Sequence, residues 1–376
     1  MIALLSYICL LLTGLYLFVL TYLIVGWARL KRPVLNSAVP STKVTVMIAA
    51  RNEEERIRYT IDDLLAQDYP KHLIEIIMVD DHSADRTAQI IRGYENKGIK
   101  LLQLNEDKPL NSYKKKAIAK AIDLSTGTLM VATDADCRMG PKWLSTIVNY
   151  YETNNPAMIS SPVAYFEERS LFEYMQTLEF SYLIGIGASF IGNGRASTCN
   201  GANLAYRKDV FYEVGGFKGI DDLASGDDEL LLQKVAVQYP GQIGFLKSRE
   251  AIVYTHAKHT LKEFLQQRRR WASKSTKYKD KKIVALAVGI WLFNVSLLVN
   301  LALGFYNVHF FKLAAIQFLL KYIIEVIFLL PITVFLKRSK LIGLLIFLTI
   351  IHVLYMVYIG IAGNGRSYVW KDRVVR

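Results

Sequence analysis

Two carboxylates one residue apart, Asp134 and Asp136, end an apolar run from Thr128 to Ala132. A buried strand that delivers Asp-x-Asp at its carboxyl end offers hard oxygen ligands to a divalent cation. Mg²⁺ or Mn²⁺ in such a place keeps several waters and shares substrate phosphates. Taken alone, Asp-x-Asp is more often a solvated turn, so the surrounding residues decide.

Polar residues also gather at two other predicted strand ends, Arg51-Asn52-Glu53 and Asp80-Asp81. Ser225-Gly226-Asp227-Asp228-Glu229 opens a predicted helix carrying Leu230, Leu231 and Val235. Carboxylates there suit the helix dipole, which makes them caps. The sharper reading is a general base facing the metal site. Cys199-Asn200-Gly201-Ala202-Asn203 precedes a predicted apolar helix ending at Val214-Gly215-Gly216-Phe217, where adjacent glycines fit a turn or a close backbone approach.

Gln267-Arg268-Arg269-Arg270-Trp271 lies in the run 258–282, which holds ten Lys or Arg against Glu263 and Asp280. Much of that run, Lys274 to Lys282 above all, reads as a basic segment touching anionic lipid. Lipid does not explain a Gln and a Trp flanking the arginines. Arg forks onto a diphosphate, and Trp offers a flat face to a sugar ring. Nucleic acid is excluded as the partner, since no helix-turn-helix, RNP-like aromatic strand or zinc module accompanies the charge.

The elements that must position these groups follow from periodicity. Val44 to Ala50 reads as a buried strand. Asn52 with Glu55 forms a capping-box pattern before a helix striped by Ile57, Ile61, Leu64 and Leu65. Strands at 73–79 and 99–104 alternate with helices carrying Thr87, Ile91 and Tyr94, then Ala117, Ile118, Ala121 and Ile122. This alternation predicts an α/β fold with a mostly parallel sheet, helices on both faces, and ligands beyond the carboxyl ends of the strands.

Composition adds a membrane. The chain has 376 residues, is 52% apolar with mean hydropathy +0.22, and still carries a net charge of +13. Residues 1–28 carry no charge and, at about 1.5 Å per residue, span a bilayer core of about 30 Å. A signal peptide would need a charged n-region and a shorter apolar core. Arg29, Lys31 and Arg32 then place the polar domain after them in the cytoplasm. Three apolar segments, about 283–305, 313–335 and 341–361, close the chain. Lys321 and Glu325 lie four apart on one helical face and are expected to pair or to face other helices. Lys337, Arg338 and Lys340 mark a cytoplasmic loop. Four crossings would leave the tail outside, whereas Arg366, Lys371, Arg373 and Arg376 favour the inside. The expected domains are thus 1–28, a catalytic domain 40–257, a basic interfacial segment 258–282, membrane segments within 283–361 and a basic tail 362–376. Cys9, Cys137 and Cys199 form no disulfide or metal pattern.

The ordered set of motifs resembles the processive-type branch of the family 2 glycosyltransferases, membrane enzymes of GT-A fold that include cellulose, chitin and hyaluronan synthases and ceramide glucosyltransferases. It consists of A-A-R-N-E-E at 49–54, V-D-D-H-S-A-D-R-T at 79–87, K-K-K-A-I at 114–118, D-A-D, N-G-A-N, G-D-D-E-L and Q-R-R-R-W. The resemblance implies that Ala50 and Glu53 line a uridine pocket and that Asp81 contacts the uracil or ribose. Lys114 or Lys115 would hold the donor, with Tyr113 standing where the family often has Gly. Asp134 would touch the nucleotide, and Asp136, with Asp134, would hold Mg²⁺ or Mn²⁺ at the diphosphate. Asp228 would be the base, paired with Asp227 where the family has Glu, and Gln267, Arg270 and Trp271 would clamp acceptor and diphosphate. The implied activity is inverting transfer from a UDP-sugar to a lipid or lipid-linked acceptor, with the catalytic domain cytoplasmic and a bacterial inner membrane the favoured location. The alternative is a processive polysaccharide synthase, whose glycan acceptor would call for an export or assembly partner protein. A non-catalytic membrane scaffold is a third reading, opposed by intact carboxylates at 134, 136 and 228.

Overall fold

The structure is a computed structural model that describes residues 2–34, 39–105, 112–223, 225–273, 281–362, 368–370 and 373–375. The expected basic stretch at 274–280 and most of the tail lie outside these. The chain opens with α1 (Ile2–Arg29). There follow β1 (Val44–Ala50), α2 (Ile57–Leu65), β2 (Ile74–Asp80), α3 (Thr87–Arg92), β3 (Ile99–Gln103), α4 (Tyr113–Leu124) and β4 (Leu129–Ala132). Next come β5 (Arg138–Met139), α5 (Trp143–Asn154), β6 (Met158–Ser160), β7 (Val163–Tyr165), α6 (Leu171–Gly192), β8 (Leu204–Arg207), α7 (Lys208–Glu213) and α8 (Glu229–Gln238). The remainder is β9 (Ile243–Phe245), β10 (Val253–Thr255), α9 (Leu261–Ser273), α10 (Lys281–Gly304), α11 (Val308–Phe335), α12 (Leu345–Ala362) and the ribbon β11 (Tyr368–Trp370) and β12 (Arg373–Val375).

These elements form two compact units. A helical unit comprises Met1–Ala28, Arg169–Gly185 and Lys258–Tyr368; a sheet unit comprises Arg29–Glu168, Ile186–Ala257 and Val369–Arg376. Residues 169–185 and the Gln267–Trp271 motif therefore belong to the helical unit.

The sheet unit is built on seven strands in the order β3-β2-β1-β4-β8-β6-β9. β3, β2, β1 and β4 are mutually parallel, β8 runs against both β4 and β6, and β6 and β9 are parallel. The mixed α/β fold is the one expected. Val44, Val46, Met47 and Ile48 of β1 are all buried, as are Leu129 to Ala132, because helices cover both faces. The stripe Ala117, Ile118, Ala121 and Ile122 is buried as its spacing predicts. A small second sheet, β5-β10-β7, lies in the same unit.

Two local expectations are corrected. Asn52 does not cap α2. It sits at φ 49°, its side chain accepts the Ala84 N–H (2.9 Å), and its own N–H donates to Ser83 Oγ (3.0 Å). The helix starts later, with the Glu53 carbonyl accepting the N–H groups of Arg56 and Ile57. The apolar stretch after Asn203 is a strand, β8, before the short α7, since Leu204 to Arg207 pair with β4 and β6. A central strand buried on both faces looks like a buried helix in sequence.

Among the described residues four helices are long and apolar enough to cross a membrane: Ile2–Arg29, Lys281–Gly304, Val308–Phe335 and Ser339–Ala362. In the helical unit α1, α10 and α11 meet at Tyr16, whose ring stacks on Phe293 with centroids 4.3 Å apart. The expected pairing of Lys321 with Glu325 is present at 2.6 Å. The Tyr16 hydroxyl donates to Glu325 Oε1 (2.6 Å) and lies 3.1 Å from Lys321 Nζ, while Thr349 Oγ1 donates to Glu325 Oε2 (3.1 Å). One layer along, Asn300 donates to Gln317, and Gln317 donates to Thr13 and Ser296.

Candidate active site

The carboxyl ends of β1, β2 and β4 bring the first polar groups together. Arg51 Nη1 donates to the carbonyls of Asp81 (2.9 Å) and His82 (2.8 Å), and the Glu53 N–H donates to Thr87 Oγ1 (2.7 Å). The loops after β1 and β2 are thereby stitched into one wall. Ala50, at the end of β1, is buried, and its carbonyl accepts the Asp81 N–H (2.8 Å). The Asp81 carboxylate is buried, with Oδ1 3.0 Å from His82 Nδ1.

β4 ends in the turn Thr133 to Cys137. Thr60 Oγ1 of α2 contacts the carbonyls of Ala135 and Cys137, each at 2.8 Å, which holds the turn with its two acids outward. Asp134 and Asp136 stay partly solvated, their side chains 37% and 25% exposed. Asp136 Oδ2 lies 3.9 Å from Arg56 Nη1. Lys114, in the first turn of α4, places Nζ 2.7 Å from Asp134 Oδ1 and 3.2 Å from Asp227 Oδ2. Burial works to lower the Lys114 pKa, but Asp134 and Asp227 outweigh it and hold the ammonium charged.

Asp228 is the N-cap of α8. Its Oδ1 accepts the Glu229 N–H (2.7 Å) and its Oδ2 the Gly201 N–H (3.0 Å). The capping reading and the site reading therefore meet in one residue. Gly201 is required by approach: a Cβ there would lie 3.2 Å from Asp228 Cβ and 3.4 Å from Asp227 Oδ2. Gly226, at φ +85°, supplies the left-handed turn that delivers both acids, and a Cβ there would meet Leu230 Cδ1 at 2.8 Å. The second Asn of N-G-A-N is structural. Asn203 is fully buried, donates to the carbonyls of Pro162 and Ala251, and accepts from Trp143 Nε1.

Lys115 hydrogen-bonds to backbone carbonyls rather than to the carboxylates. Its side chain is 1% exposed, and Nζ donates to the carbonyls of Ile220 (2.6 Å), Leu223 (2.7 Å) and Ser225 (2.7 Å). Burial pulls this ammonium down to about 8, against the raising pull of Asp227, Asp228, Asp222 and Asp221. Of the two lysines offered by the sequence, Lys114 is the one that contacts Asp134 and Asp227.

Gln267, Arg270 and Trp271 lie on α9 of the helical unit. Of the three arginines at 268–270, Arg268 is the buried one. It pairs through Nε (3.2 Å) and Nη2 with both oxygens of Glu179, and its guanidinium stacks 4.3 Å from the Trp271 ring. Arg268 Nη1 donates to Gln267 Oε1 (2.9 Å). Glu179 was not singled out in the sequence; an acid isolated in the apolar part of α6 was the available signal.

Among the described residues no three His, Cys, Asp or Glu side chains converge on a point that could hold an ion. The donor set still suits a hard divalent cation. Asp134 and Asp136 supply carboxylate oxygens from one turn, and Mg²⁺ and Mn²⁺ take their remaining ligands from water and substrate phosphates.

Comparison with known proteins bears on family and fold. Residues 45–215 match the model of glycosyl transferase family 2. The chain is 29% identical over 239 residues to a probable glycosyltransferase, YdaM, of Bacillus subtilis, covering 61% of this chain and 54% of that one. It is 26% identical over 237 residues to the poly-beta-1,6-N-acetyl-D-glucosamine synthase of Staphylococcus aureus, covering 61% and 53%. The chain thus spans about half the length of these curated relatives. Among solved structures, the mannosyltransferase PcManGT of Pyrobaculum calidifontis, in complex with GDP-Man and Mn²⁺, superposes with a TM-score of 0.61 at 18% identity, over 93% of this chain and 99% of that one. The sheet unit has the GT-A fold, and residues 45–215 carry a glycosyl transferase family 2 domain.

Proposed function

We propose that the protein transfers a sugar from a nucleotide-sugar donor to a hydroxyl of a lipid or lipid-linked acceptor. The observation that carries this reading is the ammonium of Lys114 between Asp134 and Asp227. It ties three segments distant in sequence into one polar cluster at the strand ends. Ala50, Glu53 and Asp81 are assigned to the nucleoside side of the donor. Lys114 faces its diphosphate, with Asp134 and Asp136 as the residues that would hold Mg²⁺ or Mn²⁺. A bound divalent cation supplies charge neutralisation for the leaving diphosphate. Asp228, gripped by two backbone N–H groups, is aimed rigidly and takes the proton of the acceptor hydroxyl. The acceptor oxygen then bonds to the anomeric carbon as the bond to the diphosphate breaks with its electron pair. Attack opposite the leaving group inverts the anomeric centre; a product of retained configuration would refute this. Gln267, Arg270 and Trp271 are assigned to acceptor and diphosphate.

The resemblance favours a uridine donor, while the structural relative was solved with GDP-Man. The S. aureus relative keeps a polysaccharide synthase in view as the second reading. One assay separates these: labelled UDP- and GDP-sugars, membranes containing the protein, with Mn²⁺ or chelator, and Asp136→Asn membranes as the blank. Metal-dependent label in the organic phase supports a glycolipid or lipid-carrier product. Label in a large aqueous polymer supports the synthase reading, and no label with any donor refutes both.

The catalytic domain is proposed to be cytoplasmic, since Arg29, Lys31 and Arg32 follow α1. The course of α12 bears on the tail. Thr349 reaches Glu325 on α11, and Val357, eight residues later, accepts from Trp291 on α10 (3.3 Å). Trp291 is two residues from Phe293, and Phe293 and Glu325 both meet Tyr16. A stretch about 12 Å long therefore touches one level of the bundle at both ends. That supports α12 lying across the bundle rather than through the bilayer, with the basic tail returning to the side of Arg338. A cysteine placed after Ala362 should react from the same membrane face as one at Arg338; reaction from the opposite face would make α12 a crossing.

A further inference from the structure

Lys115 is a buried cation that the proposed reaction does not use. An ammonium has three N–H donors, and all three are spent on backbone carbonyls, those of Ile220, Leu223 and Ser225. Those carbonyls belong to the segment leading directly into Gly226, Asp227 and Asp228. Only Gly226, at φ +85°, separates the last of them from Asp227. Beyond this glycine, Asp227 lies 3.2 Å from Lys114 and Asp228 is gripped by the Gly201 N–H. Asp221, Asp222, Asp227 and Asp228 all lie near enough to favour the charged amine. Removing the ammonium would leave three carbonyls without this shared donor and would remove these bonds between the segment and α4.

We propose that Lys115 is a positioning residue, clasping the backbone at Ile220, Leu223 and Ser225 so that Asp227 and Asp228 are presented to Lys114 and Gly201 in one geometry. Neighbouring lysines on the first turn of α4 then divide the work. Lys114 meets Asp134 and Asp227, and Lys115, about 100° round the helix, holds the backbone that leads into Asp227 and Asp228. The catalytic part of this inference rests on the function proposed above; the structural part does not.

The test uses the full chain in detergent, with Lys115→Met, Lys115→Gln and Lys115→Arg. Amide hydrogen exchange of 217–228 and the split between kcat and donor KM are read on each. In Lys115→Met, exchange across 217–228 should quicken at least tenfold while β1 to β4 exchange as in the wild type. Turnover should fall at least tenfold with donor KM within twofold. Lys115→Arg, which keeps a charged donor, should recover part of both. Exchange within twofold of wild type overturns the proposal, as does faster exchange with unchanged kcat. A raised donor KM with unchanged kcat would make Lys115 a donor ligand instead. If the Met variant does not fold, Lys115→Gln, which retains two N–H donors, decides: wild-type exchange and turnover there also overturn the proposal. Should the wild type transfer no sugar from any donor, the functional reading fails, and exchange alone still decides whether Lys115 holds the segment.

Discussion

Each unit contains a lysine set against carboxylates, and the two clusters behave as opposites. In the sheet unit Lys114 stands between Asp134 and Asp227, with Asp134 and Asp136 partly solvated. In the helical unit Lys321 and Glu325 are each 1% exposed and closed by Tyr16 and Thr349. The chemistry is similar and the environment is not. A solvated cluster can exchange a partner for a phosphate or a cation, so its charges are available for binding. A sealed cluster has no partner to spare: breaking it leaves a charge in a medium that cannot solvate it. Polar residues alone do not identify a site; access to ligand does.

The largest expected effect lies on the open cluster. Asp228→Asn should keep donor binding, measured by calorimetry, and lose transfer by about 10²–10⁴-fold. Wild-type turnover in that variant would remove Asp228 from the role of base. The sealed cluster should respond in stability. Glu325→Leu strands the Lys321 ammonium and should cost about 3–5 kcal/mol, whereas Lys321→Met with Glu325→Leu should recover most of it. Thermal unfolding in detergent checks this, and equal melting of the single and double variants would erase the contrast between the clusters.

Gly201→Ala adds a methyl 3.2 Å from Asp228 Cβ. A shift of a few tenths of an ångström should lower turnover about tenfold, since about 1 Å costs about 10²-fold. Unchanged turnover would show that the acid tolerates displacement. The smallest effect concerns Glu75, away from both clusters. Burial pushes its carboxyl up, but Lys100, the Thr126 N–H and Thr45 outweigh this and lower it to about 2, from an ordinary 4.5. Its contribution to stability is therefore complete above about 4.5 and fades as pH falls towards 2. The melting temperature of wild type should exceed that of Glu75→Gln at pH 6 and converge with it at low pH. A gap that persists at pH 2 would contradict the assignment.

Much of this architecture was legible beforehand. The stripe on α4 follows from helical periodicity, and the strand at 44–50 from a short apolar run that stops at the polar Arg51-Asn52-Glu53. Lys321 and Glu325, four apart in an apolar segment, could hardly avoid each other. Where one pattern serves two structures, the reading failed. Leu204 to Arg207 looked helical because a strand buried on both faces has no alternation, and Asn52 looked like a cap because a loop staple uses the same side-chain oxygen.

The sequence by itself determined the parallel α/β core, the apolar helices and the residue types of the site, since these depend on spacing along one element. The tertiary structure decided which of two adjacent lysines meets the acids, that Asp228 is gripped by Gly201, and that Arg268 is buried against Glu179. Each depends on a partner far away in the chain. Neighbouring helical residues point about 100° apart, so the fold around the helix, not the residue type, selects what each one touches.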